Sequence, residues 1–197
     1  MSQEIVIALA AFAFVSSITP GPNNLMLMAS GANFGLRRTV PHMLGVAIGF
    51  TVMIVLVGAG LMELFDAYPA SYTVLKVVSV VYLLYLAWKI TLAAAPDGES
   101  GSGRPLTFVQ AALFQWVNPK AWAMALTAIS VYAPSKSLAG VVLVAAVFGL
   151  INLPSISFWT VLGKQAKRVL TNPARRQAFN GVMAALLVGS LYPVLAW

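Results

Sequence analysis

The sequence predicts an all-α membrane protein: six transmembrane helices arranged as two inverted three-helix repeats, with the first and fourth helices broken. Three observations predict it. Hydrophobic residues supply 60% of the chain and charged residues 9%, against roughly 45–50% and 25% in a soluble domain. Six apolar stretches reach the ~20 residues that a helix needs to cross a bilayer. Two of those stretches are interrupted by proline at matching depth, at Pro20 and Pro119.

The same composition excludes other classes. The chain has too little polar surface for a water-soluble fold and too much apolar surface for disorder. With no cysteine and one histidine, His42, it has no thiolate or clustered-imidazole metal site, so no metal or cofactor is expected. There is no phosphate-binding GxxxxGK[ST] loop, no Gly-x-Ser-x-Gly elbow and no carboxylate pair within a span. The net charge of +7 is read as a mark of topology, and no nucleic-acid partner is expected.

The spans follow in order. The first runs from Ile5 to about Phe34 and is interrupted by Thr19-Pro20-Gly21-Pro22-Asn23-Asn24. As one straight helix those residues would extend ~45 Å, more than the ~30 Å hydrocarbon core, so a break is expected. The second runs from about Pro41 to Met62 and the third from about Ser71 to Ala93. A polar Gly/Ser-rich linker follows, giving one domain over 1–197 with repeat 1 at about 4–94, a linker at 95–106 and repeat 2 at about 107–197. The fourth span runs from Phe108 to about Val131 and is interrupted at Asn118-Pro119-Lys120. The fifth runs from Leu138 to about Leu162 with Asn152-Leu153-Pro154 in its middle, and the sixth from about Phe179 to Trp197. Glu4, the lack of an early cation and the long first run argue against a cleavable leader.

Lysine and arginine set the orientation. Arg37, Arg38, Lys89, Arg104, Lys164, Lys167, Arg168, Arg175 and Arg176 fall on the connections of one side, and Lys76 and Lys136 on the other. The bias places the first side in the cytoplasm and both termini outside. Three spans per half force the second half to enter from the opposite face. Inverted repeats with interrupted helices in matching positions are the pattern of secondary transporters.

The breaks carry the chemistry. Pro20 and Pro22 each remove a backbone donor, and Gly21 between them frees the chain locally, so several polar groups lose helical partners. In lipid such groups must face protein or a wet cavity. Asn23 and Asn24 sit where a second half-helix begins and are read as its cap, with a carboxylate as a natural occupant of the gap. Lys120, next to Asn118-Pro119, is the one ionisable residue deep in a span. It could bind a substrate carboxylate, gain and lose a proton, or satisfy carbonyls freed at the break. Gln115 and Trp122 could line a cavity, the indole over a cationic group, or simply pack. Asn152 is the site candidate of the fifth span. Gly45-x-x-x-Gly49 suits close helix packing, and His42 reads as an interfacial residue at a span end.

Two strings are similar to those of the lysine exporter and threonine efflux (LysE/RhtB) family. One is Ile18-Thr19-Pro20-Gly21-Pro22-Asn23-Asn24-Leu25-Met26; the other is Phe114-Gln115-Trp116-Val117-Asn118-Pro119-Lys120-Ala121-Trp122. Tyr82-Leu83-x-Tyr85-Leu86-Ala87-Trp88-Lys89 resembles the end of that family's third span, and the likeness covers essentially the whole chain. The resemblance implies a homodimeric inner-membrane exporter of amino acids or close derivatives, driven by the proton gradient. It sets Pro20, Gly21, Pro22, Asn23, Asn118, Pro119 and Lys120 on the substrate pathway. Some members of the family carry an acidic residue early in the second span, where this chain has Val46, Ala47 and Ile48. A neutral amino acid such as threonine, homoserine or leucine, or an O-acetylserine-like derivative, is therefore expected rather than lysine. The rival readings are a non-transporting scaffold that presents residues 164–176 and a membrane-embedded enzyme.

Overall fold

A computed structural model of the chain describes residues 2–92, 104–133, 137–170 and 172–192. Among them it is helical with no strand. The order is α1 (Gln3–Ile18), α2 (Pro22–Phe34), α3 (Leu36–Leu56), a π-helical turn (Val57–Leu61), α4 (Met62–Ala67) and α5 (Ala70–Leu92). After the linker come α6 (Phe108–Phe114), a 3-10 turn (Gln115–Val117), α7 (Pro119–Tyr132), α8 (Leu138–Ala166) and α9 (Pro173–Gly189). Linker residues 95–103 and Trp197 lie outside the described residues.

Three of these helices are long and apolar enough to cross a membrane: Leu36–Leu61, Ala70–Leu92 and Leu138–Ala166. α1 and α2 make a fourth candidate as one span bent by 53°. The stretch expected as the fourth span is divided into α6, the 3-10 turn and α7, with 7 residues in α6 and 14 in α7. The 17-residue α9 occupies the start of the sixth. Each of these pieces is shorter than the ~20 residues of a straight crossing.

The breaks depend on more than a proline. α8 passes through Pro154 without interruption, although that residue also lacks a donor. At 20–22, by contrast, two prolines flank a glycine and the backbone of Gly21 runs fully extended. At 118–119 the chain leaves the 3-10 turn through an extended Asn118, and Pro119 begins α7 at the position where its missing N–H costs nothing.

Small residues set the helix spacing. A Cβ on Gly31 of α2 would strike the Thr160 carbonyl of α8, and a Cβ on Gly163 of α8 would strike the Met28 carbonyl of α2. On α3, Gly45 lies against the Phe108 carbonyl, and a Cβ on Gly49 would sit 2.6 Å from Ala112 Cα. The predicted close packing at Gly45 and Gly49 is thus against α6. Backbones meet directly at both contacts, as is usual where lipid removes the hydrophobic drive between helices. Phe50, Phe148, Leu9 and Met53 centre one buried cluster, and Leu27, Val46, Leu83 and Phe114 a second. Ile48 and Val52 of α3, Val77 and Val81 of α5, and Leu150 of α8 are exposed, as suits surfaces turned toward lipid.

His42 differs from its expected interfacial setting. It is 1% exposed, because α3 begins at Leu36 and carries it a turn and a half into the bundle.

Candidate functional site

The C-terminus of α1 leaves its last carbonyls without helical donors, since Pro20 and Pro22 have no N–H to give. The Val15 carbonyl keeps its helical donor and the others are met from elsewhere. The Val15 carbonyl accepts from Thr19 N and the Ser16 carbonyl from Thr19 Oγ1. The Ser17 carbonyl accepts from Asn24 Nδ2 at 2.8 Å, and the Ile18 carbonyl from Trp159 Nε1 at 3.0 Å. The Thr19 carbonyl accepts from Asn24 Nδ2 at 2.7 Å and from Lys120 Nζ at 2.6 Å. Lys120 Nζ also donates to Thr19 Oγ1 at 2.9 Å and to the Pro20 carbonyl at 3.4 Å. The lysine beside the second break therefore closes the first.

A second link runs the other way. Asn23 Nδ2 donates to Gln115 Oε1 at 2.8 Å, and Gln115 Nε2 donates to Asn23 Oδ1 at 3.1 Å. Gln115 is fully buried, and its Nε2 also reaches the Ala111 carbonyl. Each break thus sends a side chain to the other, and the two are held as one unit.

Between them lies a cleft lined by Ser17, Gly21, Asn24, Asn118, Lys120 and Asn152, among others, with Phe50 and Met124 as apolar walls. It spans about 320 Å³ with its open mouth, but its interior has room for about one water molecule. Its lining holds one cation and no carboxylate. The Ser17 hydroxyl is buried and without a hydrogen-bond partner. Lys120 crosses the space over Gly21, where a Cβ would lie 2.6 Å from Lys120 Cδ. That contact, not backbone strain, requires glycine, because the extended backbone there suits any residue.

Most of the predicted residues come together here. Gly21, Asn23, Asn24, Asn118, Lys120 and Asn152 line the cleft. Pro20, Pro22 and Pro119 shape the chain beside it, and Pro22 and Pro119 open α2 and α7. Asn23 and Asn24 are not the cap of α2. Pro22 takes the first helical position, so Gly21 is the cap, and the two asparagine side chains turn to Gln115 and to the α1 carbonyls. Asn118 does cap its helix, its side chain accepting from Lys120 N. Gln115 stands behind the lining rather than in it. Trp122 faces away: Nε1 donates to the Trp116 carbonyl at 2.8 Å, and its ring packs edge-on against Phe65 and Trp116. Among the described residues no ammonium group lies over its indole.

Sequence reasoning missed Ser17 and Trp159. Ser17 precedes a break by two residues, and hydroxyls in a last helical turn face the gap. Trp159 sits well inside a span, and an indole N–H buried there needs an acceptor.

The apolar helices carry two breaks joined around one polar cleft, whose single cation is held by the Thr19 hydroxyl and by backbone oxygens, and comparison with known proteins makes the class a membrane transporter rather than an enzyme. Residues 14–190 match the LysE type translocators, so the chain belongs to that family, and it is an amino-acid efflux transporter with several membrane-spanning helices. It is 28% identical over 191 residues to the cysteine/O-acetylserine efflux protein of Escherichia coli (strain K12), covering 95% of this chain and 96% of that protein. The cysteine/O-acetylserine efflux protein of Shigella sonnei (strain Ss046) is similar to the same degree. No solved structure matches the chain.

Proposed function

We propose that this chain exports a neutral amino acid or close derivative, cysteine or O-acetylserine being the leading candidates, and that the substrate binds in the cleft between the breaks. The observation that carries this reading is the Lys120 ammonium resting on the Thr19 carbonyl and hydroxyl in a cleft without a carboxylate. A zwitterion can exchange with that contact. Its carboxylate takes the Lys120 ammonium, the Ser17 hydroxyl and the free N–H groups that open α2. Its own ammonium then replaces Lys120 at the Thr19 carbonyl. The other two N–H groups of that ammonium serve the Thr19 hydroxyl and the Pro20 carbonyl, which Lys120 also releases. The absence of a carboxylate in the lining favours neutral substrates over lysine, whose side-chain cation would have no counter-ion.

The small interior supports a contracted state, in which Lys120 must swing off Gly21 before a substrate fits. In this reading α1–α5 and α6–α9 are inverted three-span halves that rock about the joined breaks and alternately open to each side. Both termini then lie outside, in the inner membrane. The proton gradient drives the exchange, a second copy completes a homodimer, and lipid covers the exposed apolar faces. The inhibition of export by dissipating the pH gradient is the test of the coupling ion.

The substrate is tested in reconstituted vesicles under a pH gradient with labelled O-acetylserine, cysteine, threonine, leucine and lysine. Uptake of one or more neutral compounds with lysine left behind supports the reading. Preference for lysine, or movement of none of the five, contradicts it.

A further inference from the structure

His42 has no role in the cleft between the breaks. It is 1% exposed, and neither Nδ1 nor Nε2 has a hydrogen-bond partner. A buried imidazole with both nitrogens idle is costly unless something polar reaches it. It lines a separate pocket of about 510 Å³, partly open to the surroundings, between α2, α3, α5 and the segment Arg104–Leu106. Lys89 and Arg104 line the same pocket.

The other polar side chains there are already engaged. The Ser30 hydroxyl pairs with Thr39 Oγ1 at 2.9 Å, and Thr39 in turn donates to the Gly35 carbonyl. Asn33 Nδ2 donates to the Ala29 carbonyl and to Asn180 Oδ1. The uncommitted donors are the His42 ring, the Lys89 ammonium, which lies 5.7 Å from the Tyr85 ring centre, and the Arg104 guanidinium. Two cations line one opening and the buried, unpartnered imidazole forms part of its wall, a set that matches a single negative group, with the apolar walls of Met26, Leu86 and Ile90 beside it for the part that carries that group.

We propose that this pocket is a second ligand site, taking an anionic head of the carboxylate or phosphate class, with His42 donating at its floor and Lys89 and Arg104 at its mouth. It is separate from the cleft between the breaks and does not depend on which compound is exported. The head has two sources, a free carboxylate or the phosphate of an anionic lipid.

The chain has one histidine, so selective ¹⁵N labelling gives a single imidazole signal set in the full-length protein. The protein is placed in phosphatidylcholine nanodiscs and titrated with sodium acetate, then with inorganic phosphate. In parallel it is placed in discs containing phosphatidylglycerol. A saturable His42 shift with acetate or phosphate in the first discs identifies a free anion as occupant. A shift on adding phosphatidylglycerol alone identifies the lipid. In either case the Lys89→Gln, Arg104→Gln double variant, altered only at the mouth, is expected to weaken the response at least tenfold. A signal unmoved by all three additions, or moved equally in the double variant, overturns the proposal. The readout involves no transport, so loss of this site and loss of the export reading are distinguishable.

Discussion

Lys120 Nζ donates to the Thr19 carbonyl oxygen at 2.6 Å across a sequence separation of 101 residues. A residue that follows one broken helix thereby completes the hydrogen bonding of the other. The contact explains why a charged side chain is tolerated inside an apolar bundle: backbone oxygens in a gap solvate it where water is scarce. In the proposed mechanism the same contact is the one a substrate exchanges with, offering its carboxylate to the ammonium and its own ammonium to the carbonyl.

Gly21→Ala is expected to act through Lys120. The added Cβ lies 2.6 Å from Lys120 Cδ and on a backbone that any residue adopts. The side chain must move, and the substrate KM is expected to rise about tenfold, equivalent to ~1.4 kcal/mol. In the Lys120→Ala background the same change has nothing to displace and adds little. A double-mutant cycle on transport checks this: full additivity of the two changes refutes the steric link.

Asn23→Leu strands the Oε1 of the fully buried Gln115, and Gln115→Leu leaves the partly buried Asn23 amide without its partner. A buried polar group left unpaired costs ~1–3 kcal/mol, so either variant is expected to lower the melting temperature in detergent. The double variant removes both partners and is expected to lose less than the sum of the single losses. Thermal unfolding of the four proteins decides, and equal, independent losses would show that the pair does not act as a unit.

Gly31→Ala and Gly163→Ala each drive a methyl group into a facing carbonyl, so α2 and α8 must separate. Overpacking of this kind costs ~1–3 kcal/mol or more, and backbone cannot rotate away as a side chain can. Both variants are expected to accumulate poorly in the membrane. Gly181→Ala meets nothing within 4 Å and is the matched control, expected at wild-type level. Immunoblots of membrane fractions compare them, and normal levels of both packing variants would refute the role given to these contacts.

Much of this was legible in the sequence for physical reasons. Pro20-Gly21-Pro22 removes two donors within three residues, and no uninterrupted helix accommodates that. Asn118-Pro119 carries its own cap and helix start. The joining of the two breaks was not legible, because it depends on where 98 intervening positions between Lys120 and Gly21 return the chain. Helical spacing leaves Trp122 two roles, lining or packing, and the Trp116 carbonyl and the Phe65 ring hold it in the second. Asn23 and Asn24 resemble caps by residue type, and Pro22 at the first helical position sets them inside the first turn, where they have a different task. His42 looked interfacial because its sequence neighbours Arg37 and Arg38 are polar, whereas α3 carries it beneath α2.

In the proposed mechanism Lys120 hands its place on the Thr19 carbonyl to the substrate. Transport of labelled O-acetylserine by Lys120→Ala, reconstituted at wild-type density and orientation, tests it most directly. The account predicts a rise in KM of about 10- to 100-fold or complete loss of transport, since a charge-assisted contact of ~1.5–3 kcal/mol disappears. Wild-type rates and affinity in that variant would contradict it.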